Sequence, residues 1–169
     1  MYREVLLAHN EQPHHFYALP KPTHMAHGRN PLCGDEITVY IQTEADKIKN
    51  VSFTGQGCAV CRASASLMTL RLEGQTATEA ERDVRCVLTW LNDTTAEPPP
   101  NLGELEALLG VRKFPMRIKC ATLAWHAFLK ALKQPALPNG SVQNTCGCCG
   151  GGDTFDSDKH PGGSCCHSS

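Results

Sequence analysis

Ile37, Val39 and Ile41 alternate with Thr38, Tyr40 and Gln42, the two-residue period of a half-buried strand. Ala45-Asp46 supplies a turn, and Ile48 to Phe53 reads as the antiparallel return strand, broken by Gly55-Gln56-Gly57. Upstream, Tyr2 to Glu11 sets Val5, Leu6 and Leu7 among polar residues and stops before Pro13, which predicts a short helix. Gln12 to Asn30 is rich in Pro, His and Gly and predicts irregular chain or one short strand. From Cys58 the period changes. Ala59, Ala63, Ala65, Leu67, Met68, Leu70 and Leu72 predict a helix stopped by Gly74. Thr76 and Glu79 form a T-x-x-E capping box, followed by a buried face of Ala80, Val84, Val87, Leu88 and Leu91. Cys86, beside Val87, reads as core.

Glu97 to Pro100 reads as a linker, and Leu102 to Leu109 as a short helix ended by Gly110. After Pro115, Ile118, Thr122, Trp125, Leu129 and Leu132 recur at helical spacing up to Pro135. Strands precede helices, so the expected fold class is α+β: a small antiparallel sheet packed on one face by helices. The expected domain covers residues 1–134 and the expected flexible tail 135–169. Beyond Pro138 the chain is mostly Gly, Ser, Asp, Asn and Cys, with Val142 and Phe155 its only large apolar residues. Such a segment buries too little to offset its ordering entropy.

Charge narrows the partners. The formal net charge is −1, with acidic and basic residues interleaved, and nothing resembles the basic stripe of a nucleic-acid-binding protein. The opening Met1-Tyr2-Arg3-Glu4-Val5 lacks a signal-peptide pattern, and no apolar run approaches the ~18 residues of a membrane span. A cytoplasmic protein with no membrane partner is expected. Ten cysteines in such a chain point to metal or sulfur chemistry rather than disulfides. Five of them (Cys146, Cys148, Cys149, Cys165 and Cys166) fall in the tail.

The candidate site joins three separated segments. Cys33 precedes a strand, and Gly34 lets the backbone turn so that Cys33 and Asp35 point the same way. The hairpin returns Gly57-Cys58 to the same end of the sheet. Cys58 stands at a helix N-terminus, where unpaired N–H groups and the dipole favour a thiolate. Cys120 lies near the start of the last helix, on a strip of small residues with Ala124, Ala127 and Ala131. Three thiolates and a carboxylate together make a four-ligand site for a soft or borderline metal. On residue pattern alone, three unrelated buried cysteines remain the alternative.

Asn30-Pro31-Leu32-Cys33-Gly34-Asp35, Gly55-Gln56-Gly57-Cys58 with Arg62-Ala63-Ser64-Ala65-Ser66-Leu67-Met68, and Arg117-Ile118-Lys119-Cys120-Ala121-Thr122-Leu123-Ala124-Trp125 resemble the three signatures of U-type iron–sulfur assembly proteins. That family comprises IscU, the N-terminal domain of NifU, and SufU. Tyr2-Arg3-Glu4-Val5 with His9, Asn10 and Pro13 resembles its N-terminal helix, and the resemblance runs over roughly residues 2 to 133. Within the family the chain is most similar to SufU. The segment Glu97 to Pro115 looks like the insertion SufU-type members carry, and Lys119 stands where IscU-type members have a histidine.

The resemblance implies zinc on Cys33, Asp35, Cys58 and Cys120. It also implies that Cys33 accepts sulfane sulfur from the persulfide of a PLP-dependent cysteine desulfurase, for downstream iron–sulfur assembly or recipient proteins. On this reading Cys33, on its glycine-flanked loop, leaves the metal to react, and a partner side chain could take its place. The runner-up is a scaffold on which a transient [2Fe–2S] cluster is assembled and passed on, where hard Asp35 would favour release. A structural zinc-binding domain is the third reading.

Other features have plainer expectations. Cys58-Ala59-Val60-Cys61 is a C-x-x-C, with Cys61 expected to be an inert or auxiliary thiol and metal or sulfur chemistry as the alternative. The tail motifs Cys146-Gly147-Cys148-Cys149 and Cys165-Cys166-His167 could capture soft metal ions or have no dedicated role. His14, His15, His24 and His27 are expected on solvent-facing loops. Ser64 and Ser66 come with no histidine–acid pair in a hydrolase motif.

Overall fold

The structure, a computed structural model, describes residues 2–136. Chain order is α1 (Tyr2–Glu11), β1 (His24–Asn30), β2 (Asp35–Glu44), β3 (Lys47–Gln56), α2 (Ala59–Leu72), α3 (Ala77–Asn92), a 3-10 segment (Gly103–Lys113) and α4 (Pro115–Lys133). The three strands form an antiparallel meander in the order β1-β2-β3. The fold is α+β, as the element order predicts. The irregular stretch before Asn30 ends in a full seven-residue strand, β1.

Alternation sets the sheet. Asp35, Ile37, Val39 and Ile41 are buried, while Glu36, Thr38, Tyr40 and Gln42 are half-buried. Ala45 and Asp46 take positive φ (51° and 63°), the twist a two-residue hairpin needs between Glu44 and Lys47. Helix α4 lies across β1 and β2, and α2 packs on β3 and α4. The Thr76 capping box forms in full: Glu79 N–H donates to Thr76 Oγ1, and Thr76 N–H donates to Glu79 Oε2.

Three local expectations need correction. Residues 103–113 wind as 3-10 turns and pass through Gly110, so that glycine ends nothing. Their buried residues Leu105, Ala107, Leu108 and Val111 pin the segment by tertiary packing. In α4 the small strip Cys120, Ala124, Ala127 and Ala131 is buried together with Thr122 and Trp125 of the predicted repeat, whereas Ile118, Leu129 and Leu132 are only partly so. Small residues let α4 lie close between the sheet and the other helices, beside the fully buried Trp125 and Phe128, while Ile118, Leu129 and Leu132 stand at its margins. Cys86 is exposed, not core, because Val84, Val87, Leu88 and Leu91 define the inner face of α3 and Cys86 falls off it.

The expected tail lies outside the described residues from residue 137 onward. No helix among the described residues is long and apolar enough to cross a membrane.

Candidate metal centre

Cys33 hangs on the loop between β1 and β2. The Gly34 N–H donates to the Asn30 carbonyl (2.9 Å) at φ +72°, a left-handed turn that glycine adopts without steric cost. Asn30 is buried and braces this loop twice: its Oδ1 accepts from the Leu32 N–H (3.1 Å) and its Nδ2 donates to Cys33 Sγ (3.4 Å). Cys33 itself is exposed.

Asp35 opens β2 and is 3% exposed. Its Oδ1 accepts from the Cys58 N–H (3.1 Å), so the carboxylate sits against the N-terminus of α2, where the dipole favours negative charge. The Cys58 thiol donates to Oδ2 at 3.7 Å. Cys58 caps α2 in extended conformation (φ −67°, ψ 166°). Gly57 makes the approach possible, since a Cβ there would stand 3.2 Å from Asp35 Oδ1 and 3.1 Å from Cys61 Sγ. Cys120 enters from the second turn of α4, with its sulfur 3.4 Å from Cys33 Sγ and 3.6 Å from the Met116 carbonyl.

Ligand atoms of Cys33, Asp35 and Cys120 all lie within 4.8 Å of one another. Cys58 is not part of that mutual set and joins it through its contact with Asp35. The donor chemistry fits zinc. Tetrahedral zinc with Zn–S near 2.3 Å and Zn–O near 2.1 Å sets S···S edges of about 3.8 Å and S···O edges of about 3.6 Å. The observed 3.4 Å for Cys33–Cys120 and 3.7 Å for Cys58–Asp35 are close to those edges. Burial, followed by the hydrogen bonds the thiol donates to Cys33 and Asp35, pushes the Cys120 thiol far above its ordinary range. A compensating cation would reverse that penalty.

The structure adds to the site what the sequence leaves open for Cys61 and does not show for Asn30 and Gly57. Cys61 is fully buried beside it, its thiol pushed up by burial and then by the negative charges of Asp35, Cys58 and Cys33. Asn30 and Gly57 stand inside the motifs, but only the fold shows what they support. Leu32, next to Cys33 in sequence, and Phe114 and Met116, at the start of the helix that carries Cys120, are exposed apolar side chains. Lys119 is exposed. His24 and His27 prove to be strand residues rather than loop residues, and burial lowers the pKa of His24.

Ser66 does meet a histidine and an acid. His9 Nδ1 lies 2.8 Å from Ser66 Oγ, and His9 Nε2 lies 3.0 Å from Glu104 Oε2. The His14 N–H donates to Ser66 Oγ (2.8 Å), leaving the hydroxyl proton for Nδ1 and the Nε2–H for Glu104. Ser66 is 0% exposed, so no substrate reaches it. This chain of bonds ties α1 and the 3-10 segment to α2. It is not a hydrolase centre.

Residues 1–134 match the NifU-like N terminal domain family. An iron–sulfur cluster assembly scaffold protein IscU of Streptococcus pyogenes is 37% identical over 136 residues, covering 80% of this chain and 85% of that protein. The zinc-dependent sulfurtransferase SufU of Bacillus subtilis is 34% identical over 132 residues, covering 78% and 89%. A crystal structure of a putative SUF-system scaffold protein from Fervidobacterium islandicum superposes with a TM-score of 0.72 at 30% identity, covering 77% and 95%. The N-terminal NifU-like protein of Brucella abortus, at 22% identity and TM-score 0.70, shares the fold. Motifs, fold and relatives agree, and the chain belongs to the NifU-like N-terminal domain family, the U-type family of iron–sulfur cluster assembly.

Proposed function

We propose that this protein serves iron–sulfur cluster assembly as a sulfur acceptor, with zinc held by Cys33, Asp35, Cys58 and Cys120. The observation that carries the reading is the convergence of these four donors, three of them within 4.8 Å of one another, with exposed Cys33 beside buried Asp35 and Cys120 and half-buried Cys58. Bound zinc would keep the thiolates deprotonated and ready.

Cys33 is the acceptor on this reading. Its thiolate attacks the outer sulfur of a donor persulfide, R–S–SH. The new bond joins Cys33 Sγ to that sulfur, the donor's S–S bond breaks, and the donor leaves as thiolate R–S⁻. The proton stays on the transferred sulfur, so atoms and electrons balance. Asn30 holds the loop, Asp35 and Cys58 hold the sheet end against α2, and buried Cys120 anchors the far side. The donor is a PLP-dependent cysteine desulfurase of the cytoplasm, and the sulfur passes to downstream assembly or recipient proteins.

Both a scaffold and a zinc-dependent sulfurtransferase stand among the similar proteins. Lys119 in place of a histidine, and the segment between Glu97 and Pro115, favour the second. Anaerobic isolation with metal and labile-sulfide analysis decides between them. The expected product is colourless and carries about one zinc per chain. Stoichiometric iron and sulfide with visible absorption would instead make it a [2Fe–2S] scaffold.

A further inference from the structure

We propose that Cys61 is a reserve metal ligand, which takes the coordination place of Cys33 when Cys33 leaves to carry sulfur. The inference rests on the zinc-site reading above and extends it to a residue that reading does not use.

Cys61 is fully buried, and its sulfur faces the site rather than solvent. It and Asp35 Oδ1 flank a point where Gly57 leaves room, 3.1 Å from Cys61 Sγ and 3.2 Å from the oxygen. No other side chain intervenes at that point, because residue 57 has none. Cys58 is the N-cap of α2, which makes Cys61 the N3 residue. Side chains at N-cap and N3 converge on the same end of a helix, the geometry that lets capping boxes close. A C-x-x-C pair placed there can chelate one ion with both sulfurs.

Burial bars Cys61 from receiving sulfur from another protein, since a donor persulfide cannot reach a sulfur with no exposed surface. It does not bar ligation from within. A change between staggered χ1 positions moves a cysteine sulfur by about 3 Å, comparable with the 3.1 Å that separates Cys61 Sγ from the open point at Gly57. Cys33, exposed on its loop, is free to move outward, while Cys58, Cys120 and Asp35 stay anchored on α2, α4 and β2. With Cys61 in its place the site keeps three sulfurs and one oxygen while Cys33 reacts, and a partner side chain is not needed to fill the vacancy.

Zinc-edge X-ray absorption on the full chain counts sulfur ligands directly. The five tail cysteines are changed to serine to remove competing thiols, and one equivalent of zinc is added. This parent should show three sulfurs and one lighter ligand. Cys33→Ser should still show three sulfurs, and Cys33→Ser with Cys61→Ser should show two. Two sulfurs in Cys33→Ser alone would overturn the reserve-ligand role and leave the zinc site standing. A parent that binds no zinc, or binds it without sulfur, would overturn the zinc site and this inference together. Cys61→Ala should keep three sulfurs while Cys33 is present, and a loss to two there would make Cys61 a resident ligand and also overturn the proposal.

Discussion

Two polar clusters lie in this small domain, and they differ in one respect. The His9–Ser66–Glu104 chain, with the neighbouring Ser64–Trp125 contact, is closed: each polar atom at its centre has a partner inside the protein. Ser64 Oγ donates to the Ala121 carbonyl (2.6 Å) and accepts from Trp125 Nε1 (2.9 Å), and Ser66 and Ser64 have no exposed surface. The cysteine cluster is open. Cys33 is exposed, its sulfur meets only the Asn30 amide and the Cys120 thiol at hydrogen-bond range, and apolar Leu32, Phe114 and Met116 are exposed on the segments that lead to Cys33 and Cys120. A serine, a histidine and a glutamate in hydrogen-bond contact therefore make a brace here. The loosely satisfied thiols make the proposed reactive centre. Completeness of hydrogen bonding, rather than residue type, separates the two.

Replacing an anchored ligand should break the comparison most severely. Cys120→Ser is expected to lose the bound metal and lower the melting temperature by roughly 10 °C or more, because metal-binding free energy is folding free energy when ligands come from distant segments. Differential scanning calorimetry with metal analysis checks it. An unchanged melting temperature would mean that the open cluster does not staple the fold.

Within the closed region, Ser64→Ala should strand the buried Trp125 indole N–H and cost about 1–3 kcal/mol, with the zinc content unchanged. Urea unfolding of the two proteins measures it. A loss of zinc in this variant would show that the two clusters are coupled and weaken the contrast.

The smallest effect belongs to Glu104. Its side chain is 61% exposed, so solvent screens its contact with His9. Glu104→Ala should shift stability by less than about 1 kcal/mol and leave sulfur transfer untouched. A drop in transfer activity would give the closed cluster a role the account denies it.

The open cluster was largely legible in the sequence, and the closed one was not. Cys33, Asp35 and Cys58 sit at the ends of strands whose two-residue alternation fixes the hairpin register, so their meeting follows from local pattern. Cys120 stands out as a cysteine on the small-residue strip of the last helix, but no local pattern says that this helix brings it to the sheet end; the resemblance implies it. His9, Ser66 and Glu104 are separated by 57 and 95 positions, and no local period connects them. Cys86 beside Val87 looked like core, but helix period places a neighbour in sequence about 100° away around the axis, which here means solvent. The 3-10 path through Gly110 is a tertiary effect, set by which of Leu105, Leu108 and Val111 find the core. Cys61 was visible as half of a C-x-x-C, but its position beside Asp35 depends on the side chain that Gly57 lacks.

The central claim is that Cys33 accepts the sulfur. Peptide mass spectrometry after incubation with a matching cysteine desulfurase and cysteine tests it directly. The account predicts one added sulfur on the peptide containing Cys33, lost in Cys33→Ser along with the stimulation of cysteine turnover, while the variant stays folded. Serine has a pKa too high to supply a comparable nucleophile and cannot form a persulfide. Persulfide found on Cys61 or on the tail cysteines, with none on Cys33, would contradict it.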